Sequence, residues 1–181
     1  MDGFYPAFGH PQMLVREILI RWFASVPDDR RPLVVTKIPG DLEDKLPMVM
    51  VRSDRRSGDP IGQSRDDRFV RAVPVSIETF TAGVNAEDDG FQLGESCRLA
   101  LHWAWRNQVS VPGFGSINKI SQMTSVARVS DFATSTGIVQ YASLPKSAVR
   151  HEMNLRALIR PDSGPETNMF VPNYKELSLG L

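Results

Sequence analysis

Residues 52–71 read RSDRRSGDPIGQSRDDRFVR and hold six arginines (Arg52, Arg55, Arg56, Arg65, Arg68, Arg71), four aspartates (Asp54, Asp59, Asp66, Asp67) and no lysine. A guanidinium offers a planar fork of donors that matches a carboxylate or a phosphate. The interleaved aspartates repel phosphate, and the arginines neutralise what would otherwise be a cation-binding set of carboxylates. Contact between proteins suits this mixture best. Arg52, Arg55, Arg56, Asp59, Arg65, Asp66, Asp67 and Arg68 are therefore the candidate interface residues. A clasp between subunits, a pore rim and a plain solvated loop all remain open to it.

Other reactive residues are sparse. His10, His102 and His151 are scattered, and His151 falls on the apolar face of an extended segment, where a hydrogen-bonded core role is expected. Cys97 lies on an apolar helical stripe and reads as a buried thiol rather than a nucleophile. No HExxH, GxSxG, phosphate loop or zinc spacing occurs. Gly113-Phe114-Gly115-Ser116 is glycine-rich, but a strand rather than a helix follows it, so it is no phosphate cradle. The expectation is a protein that is not an enzyme and that uses no metal or cofactor. Trp103 and Trp105 flank Ala104. One is expected in the core and the other over the sheet edge, or else one anchors an interface, as tryptophan often does. Trp105 joins the candidate interface set, with Phe170 and Tyr174 from the carboxy-terminal segment.

The elements that position these residues follow from length, composition and periodicity. A chain of 181 residues fits one domain and can bury roughly 70% of its extended surface. Lys+Arg and Asp+Glu both number 21, so the formal charge is zero, whereas a dedicated nucleic-acid binder usually carries a basic excess. A single cysteine rules out an intramolecular disulfide. The amino terminus lacks a signal-peptide pattern, and no apolar run approaches the ~18 residues of a membrane span. A soluble protein of a reducing compartment is expected.

A helix is predicted over 11–26, with Pro11 at its first position and Met13, Leu14, Ile18, Leu19, Trp22, Phe23 and Val26 at three- and four-residue steps. Strands are predicted over 33–38 and 47–51. A third runs over 69–81, with Phe69, Val73, Val75 and Ile77 on one face and Ser76 and Glu78 on the other. Pro74 cannot donate to a ladder and marks an edge or a bulge. A second helix is predicted over 88–107, with Glu87, Asp88 and Asp89 at its positive end. Leu93, Cys97, Ala100, Leu101 and Ala104 form its apolar stripe, and Arg98, His102 and Arg106 lie on another face. Extended pieces follow over 116–130 (with imperfect alternation), 137–144 and 149–160. In the last, Val149, Met153, Leu155, Ala157 and Ile159 alternate with Arg150, Glu152, Asn154 and Arg156. Residues 161–181, with three prolines, read as an arm outside the core. The expected fold is α+β. It has a single mostly antiparallel sheet with two main helices packed on it, a long charged hairpin loop at 52–68, one domain over 1–160 and an extended carboxy-terminal arm.

This order of elements resembles the tail-terminator proteins of long-tailed bacteriophages. The likeness spans about residues 11–160 and is carried by the opening helix MLVREILIRWF, the strands LVVTKI and PMVMVR, the strand–helix pair VPVSIETFTAG and GESCRLALHWAW, and the ending GIVQYASLPKSAVRHEMNLRALIRP. The family has no invariant catalytic motif, so the likeness is one of element order and texture. It implies a ring subunit, hexameric in that family, in the neck of the virion after assembly in the host bacterial cytoplasm. Such a ring caps the head-proximal end of the tail tube, stops tube growth and offers the surface that joins the head. Its implied partners are itself, the tail tube protein and a head-completion protein, with DNA only as passing cargo and no membrane. The loop at 52–68 and the tail after 160 make the chain longer than a minimal family member. Ring contacts would come from the edge near Pro74, the charged loop and the arm. Another head–tail connector protein is the nearest alternative. A small nucleic-acid-binding α+β domain using Arg150, Arg156 and Arg160 with Tyr141 is a more distant one.

Overall fold

The computed structural model describes residues 10–53, 59–60, 70–129 and 148–160. The first helix, α1 (Pro11–Phe23), buries Leu14, Val15, Ile18, Leu19 and Phe23. It stops three residues short of the predicted end because Arg31 turns back on it. The Arg31 guanidinium donates to the carbonyls of Phe23, Ala24 and Val26 at 2.8–3.2 Å and pairs with Asp28. The Phe23 carbonyl also accepts from the Val26 amide at 3.0 Å, and a cation suits the carbonyl end of a helix.

The sheet follows the order β1 (Leu33–Val35), β2 (Met48–Arg52), β4 (Arg71–Thr81), β8 (Val149–Arg160), β6 (Gly115–Met123), β5 (Ser110–Val111). Two-residue strands β3 (Asp59–Pro60) and β7 (Ala127–Arg128) add to β4 and β8. One domain-sized α+β sheet carries both helices, as the sequence predicts, with one amendment. The sheet is mixed: β1 runs parallel to β2, while every other described pair is antiparallel.

The spine is the pair β4/β8, in unbroken register from Arg71↔Ile159 to Thr81↔Val149. Pro74 therefore has β8 on one side and the β2 and β3 pairings flanking it on the other. Its carbonyl faces the β2 side, where Ser53 Oγ donates to it at 2.9 Å just past the last residue of β2. The missing N–H falls on that same side, in the gap between the β2 and β3 pairings. The imperfect alternation of β6 has a cause too. Its register against β8 shifts between Ile117 and Lys119 and again between Ile120 and Gln122, so Ile117 and Ile120 both reach the core.

Helix α2 (Ala86–Arg106) packs on one sheet face through Gly90, Gly94, Cys97, Ala100, Leu101 and Ala104. The two glycines permit this close approach. A Cβ on Gly94 would stand 2.6 Å from Val126 Cγ1, and one on Gly90 would stand 2.6 Å from His151 Nδ1. Thr79 and Thr81 also donate to the Gly90 and Ala86 carbonyls at 3.0 and 2.6 Å, tying helix to strand. The main core lies between this face and the helices, from Leu14 and Ile18 through Val49, Val75, Ile77 and Leu101 to Met153 and Ile159. A second, smaller cluster sits on the helix-free face. Met48, Met50 and Phe80 are buried there beneath Val35, Ile38 and Leu46 of the β1–β2 region. The segment predicted as a strand over 137–144 lies outside the described residues, as do most of the charged loop and the arm.

Candidate functional site

Alternation places Arg52 of β2, Ser76 and Glu78 of β4, and Arg150, Glu152 and Asn154 of β8 side by side on the helix-free face. The register sets Glu78 directly opposite Glu152, a like-charge pair that two arginines relieve. Arg52 Nη1 lies 2.8 Å from Glu78 Oε1, and Arg150 Nε lies 2.7 Å from Glu78 Oε2. Arg150 Nη2 also approaches Glu152 Oε2 at 3.8 Å. Ser76 Oγ and Asn154 Nδ2 donate to Glu152 Oε1 at 2.9 and 3.1 Å.

Glu78 and Arg150 are buried, with side-chain exposures of 1% and 6%. The sequence pattern puts Arg150 on a wet face, and the structure corrects this. Alternation alone cannot show that a polar row is covered, nor that acids on two strands will meet. Glu78 accepts a hydrogen bond from Arg52 and faces Arg150, so two guanidiniums offset its charge. What the cluster supplies is position. Arg52, the last residue of β2 and the first of the charged stretch, is held at its base by a buried anion.

The remaining candidates divide clearly. Arg55, Arg56, Arg65, Asp66, Asp67, Arg68, Phe170 and Tyr174 lie outside the described residues, and Asp59 is placed only as part of β3 beside Ala72. Trp105 is half-buried against the core, with the His102 ring 5.8 Å away. Its neighbour Trp103 is the exposed one, at 46%, with its ring 5.9 Å from that of Trp22.

Compared with known proteins, the sequence matches no protein-family model and none of the curated proteins. The site must be read from its own chemistry.

Cys97 is fully buried, and burial pushes its thiol far above the ordinary range, so it is no nucleophile in the native state. His151 is buried, with Nε2 3.5 Å from Glu87 Oε1 and, among the described residues, no hydrogen-bond partner for Nδ1. Burial lowers its pKa against the pull of Glu87. Glu87 in turn pairs with Arg128 at 2.8 Å, so this one of the three acids in the first turn of α2 ties the helix to β7. Among the described residues, no three His, Cys, Asp or Glu side chains come together as a metal site. No described helix is long and apolar enough to cross a membrane.

Proposed function

We propose that the protein is a structural assembly subunit of the tail-terminator type: one copy of a ring on the head-proximal end of a phage tail tube. There it halts tube growth and offers the head-joining surface, with a tube protein and a head-completion protein as neighbours. The observation that carries the reading is the Arg52–Glu78–Arg150 cluster, built on the buried Glu78 and Arg150. It ties Arg52, the root of an arginine- and aspartate-rich segment, to the central strands β4 and β8. Anchoring one end of a contact segment lowers the entropy lost on association, and arginine–aspartate pairing gives the selectivity an assembly contact needs. The order of helices and strands agrees with what the resemblance implies. The nucleic-acid alternative is weakened at one of its residues, since Arg150 is buried against carboxylates rather than presented to solvent.

The test is light scattering and negative-stain microscopy of the purified protein, alone and with tail tubes. Rings, or rings seated on tube ends, support the proposal. A monomer that leaves tube growth unchecked at high concentration overturns it, and binding to heads without tubes moves the protein to another neck position.

A further inference from the structure

A cleft of about 330 Å³ opens between the two helices and β5, lined by Ile18, Arg21, Trp22, Trp103 and Val109. Its walls are built. Trp22 is fixed by a 3.1 Å hydrogen bond from its ring N–H to Ser96 Oγ, and the Trp103 ring leans on it at 5.9 Å. Arg21 reaches across the end of the cleft to the Ser110 carbonyl at 3.3 Å. Leu99, one helical turn before Trp103, is 53% exposed and extends the apolar patch along α2. An exposed tryptophan over a cleft of this size is the pattern of a site that takes apolar or aromatic side chains.

The fold says where such side chains can come from. Ser110 and Arg160 pair with opposite sides of Ser116. The last residue of β8 therefore lies two strand spacings, about 10 Å, from the residue that Arg21 binds at the cleft. Residues 161–181 follow, and their apolar run is Met169, Phe170 and Val171 with Tyr174. The eight residues between Arg160 and Met169 can span at most ~29 Å. They hold the run near the cleft at an effective concentration on the order of mM. Glu166 and Glu176 flank the run and complement Arg21.

We infer that the Trp22/Trp103 cleft is the seat of the chain's own carboxy-terminal segment, with residues 169–174 laid across it and Phe170 or Tyr174 against the tryptophans. The seat is intramolecular and does not depend on the ring reading.

Acrylamide quenching of tryptophan emission tests it on the full chain. Replacing Phe170 and Tyr174 together by serine should remove the protection of Trp103, giving steeper quenching and red-shifted emission with unchanged far-ultraviolet circular dichroism. The same replacement in a Trp22→Phe, Trp103→Phe background, where only Trp105 reports, should change little. A synthetic peptide of residues 165–177 should restore protection to the serine variant and leave the native chain unaffected. Quenching that ignores the double substitution, or a peptide that protects neither protein, overturns the inference. Protection that vanishes on dilution as light scattering reports dissociation also overturns it, because the occupant would then be the arm of another copy.

Discussion

Glu78 is a buried anion in a sheet, held there because Arg52 and Arg150 reach it from diagonal positions on both neighbouring strands. Such clusters are costly to break and inexpensive to replace whole, since removing one partner strands the other's charge. Arg150→Met should therefore lower stability by about 3–5 kcal/mol in urea unfolding, and the joint change Glu78→Met with Arg150→Met should recover much of that loss. A double variant whose loss equals the sum of the two single losses would show that the charges are not coupled. His151 makes a pH-dependent contribution. Burial lowers its pKa below the ordinary value, Glu87 opposes that shift, and Arg128 adds to it. The folded state thus favours the neutral ring. Its contribution is intact above the unfolded value of about 6.5 and is lost as pH falls through the lower folded value. Unfolding midpoints measured downward from neutral pH should fall more steeply for the native chain than for His151→Gln.

At the scale of elements, what was legible in the sequence was whatever rests on local periodicity. The twelve residues of β8 fall where the alternation puts them, and α2 begins within two residues of its acidic signal. Features set by partners were not legible. Helix α1 ends early because Arg31, eight residues on from Phe23, takes its carbonyls. Strand β1 ends at Val35, and Gln12 from α1 donates to the next carbonyl, that of Thr36, at 3.1 Å. Arg150 read as wet because burial on that face depends on strand register. Gly90 and Gly94 did leave a signal, since two glycines four apart in a helix cost about 1 kcal/mol each and call for a packing reason. That reason sets a prediction. Gly94→Ala gains helix propensity but drives a methyl into Val126 at 2.6 Å, so it should destabilise by about 1–3 kcal/mol. The paired change with Val126→Ala should relieve the clash, and a stabilised Gly94→Ala in thermal melts would mean that α2 shifts freely on the sheet.

For the whole molecule, the division of labour runs between the two sheet faces. One is the core beneath α1 and α2, and the other carries the ionic cluster and the Met48–Met50–Phe80 group. If the charged segment serves assembly, reversing Arg55, Arg56 and Arg65 to glutamate should abolish ring formation on tubes. The unfolding midpoint should move little, because single surface ion pairs contribute only ~0–1 kcal/mol. Unchanged tail lengths in a complementation assay would remove the segment from the assembly contact.

The borders of the sheet carry a consequence for how copies of this chain can meet. Strand β1 is three residues long and β5 only two, and the β1 side is further closed by α1, whose Arg16 donates to the Val34 carbonyl and whose Gln12 donates to that of Thr36. A short, occupied margin such as the β1 side makes a poor template for backbone-to-backbone growth, which is how sheets run on into fibres. Any contact between copies at the β1 margin must then be written in side chains. Such contacts set the angle between neighbours, and whether that angle closes decides between a ring and an open filament.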